Sequence, residues 1–222
     1  MTVIHKDIES LEFKVSSEKS VFNTMSLDKC IDTLHEESSP IHKYLTNFAV
    51  DVYAVDGMGE ILTDIGFLKG TSIQAEATFT DVSGLLELCD MFSTDLYLMA
   101  VDITGKDGRV KKSVCPHYGN IMYIENMFVE EKYRGLGIGR YLLDNVGDLF
   151  LRALNYSHNT YILKPYPQVW VGKHSLQDDE SATNDEKARL VNFYKRAGYK
   201  FIRGSDYMSK IIRDEFFEML GI

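Results

Sequence analysis

The residues whose types and spacing could do chemistry lie between Asn120 and Leu143. Asn120 to Val129 is rich in β-branched, aromatic and large apolar residues and is expected to be a strand. Arg134-Gly135-Leu136-Gly137-Ile138-Gly139-Arg140 follows, a glycine-rich loop with an arginine at each end. Ile138, Leu142, Val146, Leu149 and Ala153 then recur at the spacing of a helix face. Strand, glycine loop and helix start together make an anion site. The first amides of a helix have no intrahelical partner, and the helix dipole adds partial positive charge at the same end. Glycines let a phosphate reach the backbone with no Cβ in the way.

Two nucleotide motifs fail on this loop. A P-loop ends in Gly-Lys-Ser/Thr, whereas this one ends Gly139-Arg140-Tyr141. A dinucleotide fingerprint needs Gly-x-Gly-x-x-Gly and an acid after the next strand; Gly135, Gly137 and Gly139 have the wrong spacing, and the strand-like run Tyr161-Ile162-Leu163 ends in Lys164. Glu125 is a carboxylate within a mostly apolar strand, which is costly unless something pairs with it.

The elements that must position these residues follow from pattern. Residues 11–15 read as a strand, and Leu27, Cys30, Ile31 and Leu34 lie at helical spacing before Ser39-Pro40. Phe48, Val50, Val52 and Ala54 alternate along a strand, Gly57 and Gly59 supply a turn, and residues 60–68 read as the answering strand. Residues 80–91 suggest a helix with Val82, Leu85, Leu86 and Cys89 on one face, and residues 95–103 a strand that packs Leu96, Leu98, Ala100 and Ile103. Residues 105–108 are its turn, and Cys115-Pro116-His117 reads as loop, too sparse for a metal site. After Leu163 comes a long polar loop carrying Tyr166, Trp170, His174 and the acidic run Asp178-Asp179-Glu180. Thr183-x-x-Glu186 is a capping box opening a helix with Leu190, Val191, Tyr194 and Ala197 on one side, and Gly198 stands where a helix-ending glycine belongs. Residues 199–202 and 207–211 read as a strand pair, and Phe216, Phe217 and Leu220 as a short last helix.

Composition narrows the class. The 222 residues are 45% hydrophobic and 26% charged, ordinary for a globular protein, and allow one large domain or one domain with an extension. No apolar run approaches the roughly 20 residues that span a bilayer, and the start lacks a signal-peptide core, so no membrane partner is expected. Cys30, Cys89 and Cys115 are scattered and odd in number, which suggests reduced thiols and a cytoplasmic location. A formal charge of −9 makes nucleic acid a poor partner and tolerates a cationic substrate.

Arg134-x-x-Gly137-x-Gly139 after an apolar strand resembles the pyrophosphate-binding motif of the GNAT superfamily, the Gcn5-related N-acetyltransferases that use acetyl-CoA. Asn192-Phe193-Tyr194-Lys195-Arg196-Ala197-Gly198-Tyr199 resembles that family's second characteristic stretch. The resemblance covers roughly residues 45–212 and is nearest in spacing to diamine acetyltransferase-like members, in which a strand glutamate lies nine residues before the motif arginine, as Glu125 does here. It implies an α/β (α+β) fold: a mixed, mostly antiparallel sheet, splayed where acetyl-CoA enters and flanked by helices. It implies residues 1–44 as an N-terminal extension packed on a domain of residues 45–222.

The resemblance also implies roles. Arg134, Gly135, Leu136, Gly137, Ile138, Gly139 and Arg140 would hold the pyrophosphate. The backbone of Met127, Phe128 and Val129 would pair with the pantetheine arm, and an amide there would polarise the acetyl carbonyl. Glu125 becomes the candidate general base, its pKa raised by partial burial; the competing role is a hydrogen-bonded structural carboxylate. Tyr194 becomes the candidate acid for the leaving thiolate, against a packed core tyrosine. Two departures stand out: many members have an asparagine where this chain has Lys187, and the loop over residues 165–182 is longer than usual, either a lid on an acceptor pocket or a solvated insertion. The expected activity is acetyl transfer from acetyl-CoA to a small-molecule or peptide primary amine by direct attack, without a metal. Cys89 and Cys115 lie outside the motifs, which argues against an acyl-cysteine route. A homodimer is compatible with the family. The alternative is a non-catalytic acetyl-CoA or CoA sensor or scaffold on the same fold.

Overall fold

The computed structural model describes residues 10–18, 44–55, 58, 60–74, 84–116, 119–154, 157–172 and 175–212. Among the described residues, seven strands form one sheet in the order β1-β2-β3-β4-β5-β9-β8. β1 (Ser10–Glu18), β2 (Leu45–Val55), β3 (Ile61–Ile73) and β4 (Ile121–Val129) are antiparallel neighbours. β4 and β5 (Thr160–Leu163) are parallel, and β5, β9 (Met208–Ile211) and β8 (Lys200–Phe201) return to antiparallel pairing. The sheet is therefore mixed and mostly antiparallel.

Helices cover both faces. α1 (Leu85–Phe92) and α2 (Thr94–Ile103) bury Leu85, Leu88, Met99 and Ile103 against Ile73, Ile121, Tyr123 and Ile162. On the other face, α3 (Ile138–Leu154) and α4 (Asn184–Arg196) bring Leu142, Val146 and Tyr194 to Val50, Val52, Leu68 and Ile124. The capping box forms as its sequence dictates: the Thr183 side chain accepts from the Glu186 N–H while the Glu186 carboxylate accepts from the Thr183 N–H. Gly198 ends α4 in the left-handed region at φ +93°.

Two expectations are corrected. Residues 95–103 are helix, not strand. Leu96, Met99, Ala100 and Ile103, a helical spacing, are fully buried, while Leu98 and Val101 are exposed. The Ser93 side chain caps this helix by accepting from the Leu96 N–H. The segment after Leu163 is not all loop: β6 (Gln168–Gly172) and β7 (Ser175–Asp178) form a separate antiparallel hairpin. The helix expected around residues 27–34, the turn glycines Gly57 and Gly59, His117, His174 and the last helix at Phe216 lie outside the described residues.

β3 is longer than its pattern suggests, running through the polar stretch Lys69-Gly70-Thr71-Ser72. Gly70 is not a break but a close approach: a Cβ there would lie 2.0 Å from the Tyr123 carbonyl oxygen. At that place the ladder slips. Lys69 pairs with Asn126 and Gly70 with Ile124, so Glu125 is the extra residue of a β-bulge. The slip also reverses parity along β4. Met122 and Ile124 belong to the core under α3, and beyond the bulge Met127 and Val129 pack against that same core.

Candidate active site

β4 and β5 share only four rungs, from Ile121–Thr160 to Ile124–Leu163. Pro165, which has no N–H to donate, follows at once, and the chain turns away with the Tyr166 N–H bonded to the Lys164 carbonyl at 2.9 Å. β4 runs on without that neighbour, so the sheet splays at the bulge. The Glu130 N–H donates to Ile65 of β3, and the Phe128 carbonyl is directed at Gly66. By the alternation of a strand's polar groups, those of Met127 and Val129 face the open side.

A cleft of about 960 Å³ fills the gap. Its walls include Glu125, Met127, Phe128, Val129, Arg134, Gly135, Gly137, Ile138, Gly139, Arg140 and Tyr194. Leu136, 44% exposed, is the one residue of the loop series that does not line it. Gly135 and Gly137 adopt φ +79° and +87°, the left-handed region that glycine enters without strain. Gly139 lets Phe193 pack over the start of α3, with its ring 3.4 Å from where a Cβ would be.

The two arginines are engaged differently. Arg134 Nε donates to the Val129 carbonyl at 2.8 Å, and its guanidinium lies 5.8 Å from the Phe128 ring centre. Arg140 pairs with Asp144 one turn along α3 and donates to the Arg196 carbonyl at the end of α4. Its side chain therefore joins two helices, while its backbone belongs to the loop.

Glu125 is mostly buried, its side chain 22% exposed. Burial pushes its pKa up; the Thr71 hydroxyl at 2.7 Å and Lys69 at 3.9 Å pull it back, and Asp95 pushes it up again. Tyr194 is buried, with its ring edge-on to Phe193 and Tyr199. Burial raises its pKa, so the hydroxyl stays protonated through the neutral range. Tyr123 is core wall, packed edge-on against Tyr207.

Several contributors are not singled out individually by the sequence, although the segment over residues 165–182 reads there as a lid or a solvated insertion. Thr71 and Lys69 reach Glu125 from β3. Tyr166, Gln168 and Val169 line the cleft from the segment after β5, and Asn126 Nδ2 ties that segment to β4 through Gln168 Oε1 at 3.4 Å. Arg189, Leu190 and Phe193 line it from α4. The 186-189-190-193 spacing of a helix face was the one signal that could have found these last residues.

Residues 97–201 match the family model described as an acetyltransferase (GNAT) domain. This stretch is similar to a GNAT domain. No curated protein matches the chain. Among solved structures, Arabidopsis thaliana NAA60 in complex with acetyl-CoA is 16% identical, with 91% of this chain and 99% of that one covered and a TM-score of 0.37. The GNAT family N-acetyltransferase YhbS from Escherichia coli, in complex with CoA, is 14% identical, with 93% and 84% covered and a TM-score of 0.35. AtaT complexed with acetyl-methionyl-tRNAfMet is 9% identical, with 96% and 100% covered and a TM-score of 0.37. These three bind different things, and at such scores no acceptor is carried over to this chain.

The donor set fits acetyl-CoA in character. Left-handed glycines and free-standing helix amides suit a pyrophosphate, aided by Arg134 and Arg189. Met127, Ile138, Leu163 and Leu190 offer an apolar channel for a pantetheine arm beside the unpaired edge of β4. No helix among the described residues is long and apolar enough to cross a membrane, and among them no group of three or more His, Cys, Asp or Glu could hold a metal.

Proposed function

We propose that this chain is an N-acetyltransferase acting on a primary amine, with residues 45–222 as its catalytic domain and residues 1–44 as an extension that adds the edge strand β1. The observation that carries the reading is the bulge at Glu125: it puts a part-buried carboxylate on the wall of the same cleft that the glycine loop and Tyr194 line. Acetyl-CoA would supply an activated acetyl thioester. Backbone groups from Gly135 to Arg140, with Arg134, hold its phosphates. The open edge of β4 at Met127 and Val129 orients the arm, and an N–H of that edge polarises the acetyl carbonyl. Glu125 takes a proton from the acceptor ammonium, freeing the lone pair for direct attack. Tyr194 gives its proton to the departing sulfur. The nine-residue spacing from Glu125 to Arg134 is similar to that of diamine acetyltransferase-like members, and a cytoplasmic location agrees with the scattered cysteines.

Titration calorimetry of wild type and Gly137→Glu with acetyl-CoA tests the root of this reading. Micromolar binding lost in the glutamate variant is expected, because a carboxylate would stand in the phosphate cradle. No binding by wild type would end it. Tight binding with no transfer across a broad amine panel would support the sensor instead.

A further inference from the structure

The two oxygens of Glu125 have unlike surroundings. Oε1 lies 2.7 Å from the hydroxyl of Thr71, a fully buried residue of β3. Oε2 has Lys69 Nζ at 3.9 Å, an ion pair beyond hydrogen-bond reach. Lys69 and Thr71 are two residues apart on β3, so both side chains leave the same face of the strand. Asp95 opposes Lys69 from the start of α2, Tyr123 is the titratable neighbour on β4, and Lys164 lines the cleft beyond β5.

Thr71 Oγ1 carries one proton but has two neighbours, Glu125 Oε1 and the Asn47 side-chain amide at 3.1 Å. Asn47 presents Oδ1 to this hydroxyl, and one proton cannot serve two acceptors. Turning the Asn47 amide over, which keeps its shape, lets its NH2 donate to Thr71 while Thr71 donates to Glu125. A proton on Oε1 would force the whole relay to reverse, with Thr71 accepting from Oε1 and donating to Asn47 Oδ1. A proton on Oε2 leaves it intact.

We propose that Thr71 is a positioning residue for the base: its hydroxyl holds Oε1 of the ionised carboxylate and makes Oε2 the atom that receives the acceptor's proton. The inference rests on Glu125 being the base. In the step, an N–H bond of the ammonium breaks, its electron pair stays on nitrogen, and an O–H bond forms at Oε2. The proton later leaves to solvent.

Difference infrared titration of the full chain without ligand tests this, each background being compared with its Glu125→Gln version. Thr71→Val keeps the shape but removes the donor, so the carboxyl band should titrate about one pH unit higher than in wild type. Thr71→Ser should titrate with wild type. The acid-form C=O band should also lie at lower frequency in wild type than in Thr71→Val, because Oε1 accepts a hydrogen bond only in the former. An unchanged midpoint in Thr71→Val overturns the proposal. Thr71→Ala, which adds no new bulk, carries the same comparison if valine is not accommodated. The spectrum reads the carboxylate whether or not it is the base. Base function is tested separately by the kinetic pH profile of Glu125→Gln, so the two failures are distinct.

Discussion

Arg134 and Val129 are joined side chain to backbone, Nε to carbonyl oxygen at 2.8 Å, so the glycine loop is tied to the strand whose open edge it neighbours. The bond uses one of five guanidinium donors. Arg134→Ala should therefore weaken acetyl-CoA binding about tenfold, by losing both loop geometry and charge. Arg134→Lys should fall between the two, since a lysine cannot serve carbonyl and phosphate in one fork. Calorimetry checks this, and equal affinity for wild type and alanine variant would remove Arg134 from the cradle.

Tyr194→Phe keeps the ring packing against Phe193 and Tyr199 and removes only the hydroxyl. The expected result is a fall in kcat of about 100-fold, in the range of a lost general acid, with acetyl-CoA affinity nearly unchanged. A phenylalanine variant at full rate would leave Tyr194 as core.

The pH profile follows from two raised pKa values. As the proposed base, Glu125 would act only when ionised, and burial raises its pKa. The rate should therefore fall as pH drops through a midpoint above that of an ordinary carboxylate. Tyr194 is raised as well, so it stays protonated and should add no alkaline limb near neutral pH. Steady-state kcat/KM on either side of neutrality reads both, and Glu125→Gln should abolish the acid limb.

Stability has its own pH dependence at His158. This residue is buried beside Ser72, with Nε2 2.8 Å from the hydroxyl, and burial lowers its pKa from 6.5 to about 4. The unfolded chain takes up a proton that the folded chain refuses, so stability is full above pH 6.5 and is lost as pH falls toward 4. The loss should reach about 3 kcal/mol. Urea melts at several pH values should show it, and His158→Asn should flatten the slope over that window. The same slope in the variant would assign it to other groups.

Gly70→Ala should destabilise by about 3 kcal/mol, because the added methyl meets the backbone oxygen of Tyr123, which no rotamer change can move. Activity should drop further than stability alone explains, since the same contact sets the bulge that carries Glu125. Comparing residual activity with the folded fraction separates the two effects.

What was legible in the sequence was local. The strand, glycine loop and helix around Arg134, and the Thr183 capping box, depend on neighbours a few residues away, and local physics writes them into the pattern. Residues 95–103 were ambiguous for a physical reason. Leu96, Leu98 and Ala100 alternate as in a strand, while Leu96, Met99, Ala100 and Ile103 repeat as in a helix, and Ser93 as a cap was the deciding signal. The bulge was not legible, because it is a relation between β4 and a strand some fifty residues earlier. Thr71 was hidden for the same reason: nothing near it in sequence announces a carboxylate partner. Among the described residues the hairpin of residues 168–178 pairs only with itself, with strands of five and four residues, too short for periodicity to declare.

The parallel pair of β4 and β5 has a mechanical consequence. Among the described residues it is the only strand pairing between a leaf of four strands and a leaf of three, and it is four rungs long. A ligand lying against the unpaired part of β4 would lengthen that seam and act as a clasp on a half-open book. Saturating acetyl-CoA should then slow amide exchange along the whole of Ile121–Ile124 and β5, beyond the Ile124 and Leu163 ends that line the cleft, and stiffen the molecule against forces that pull the leaves apart.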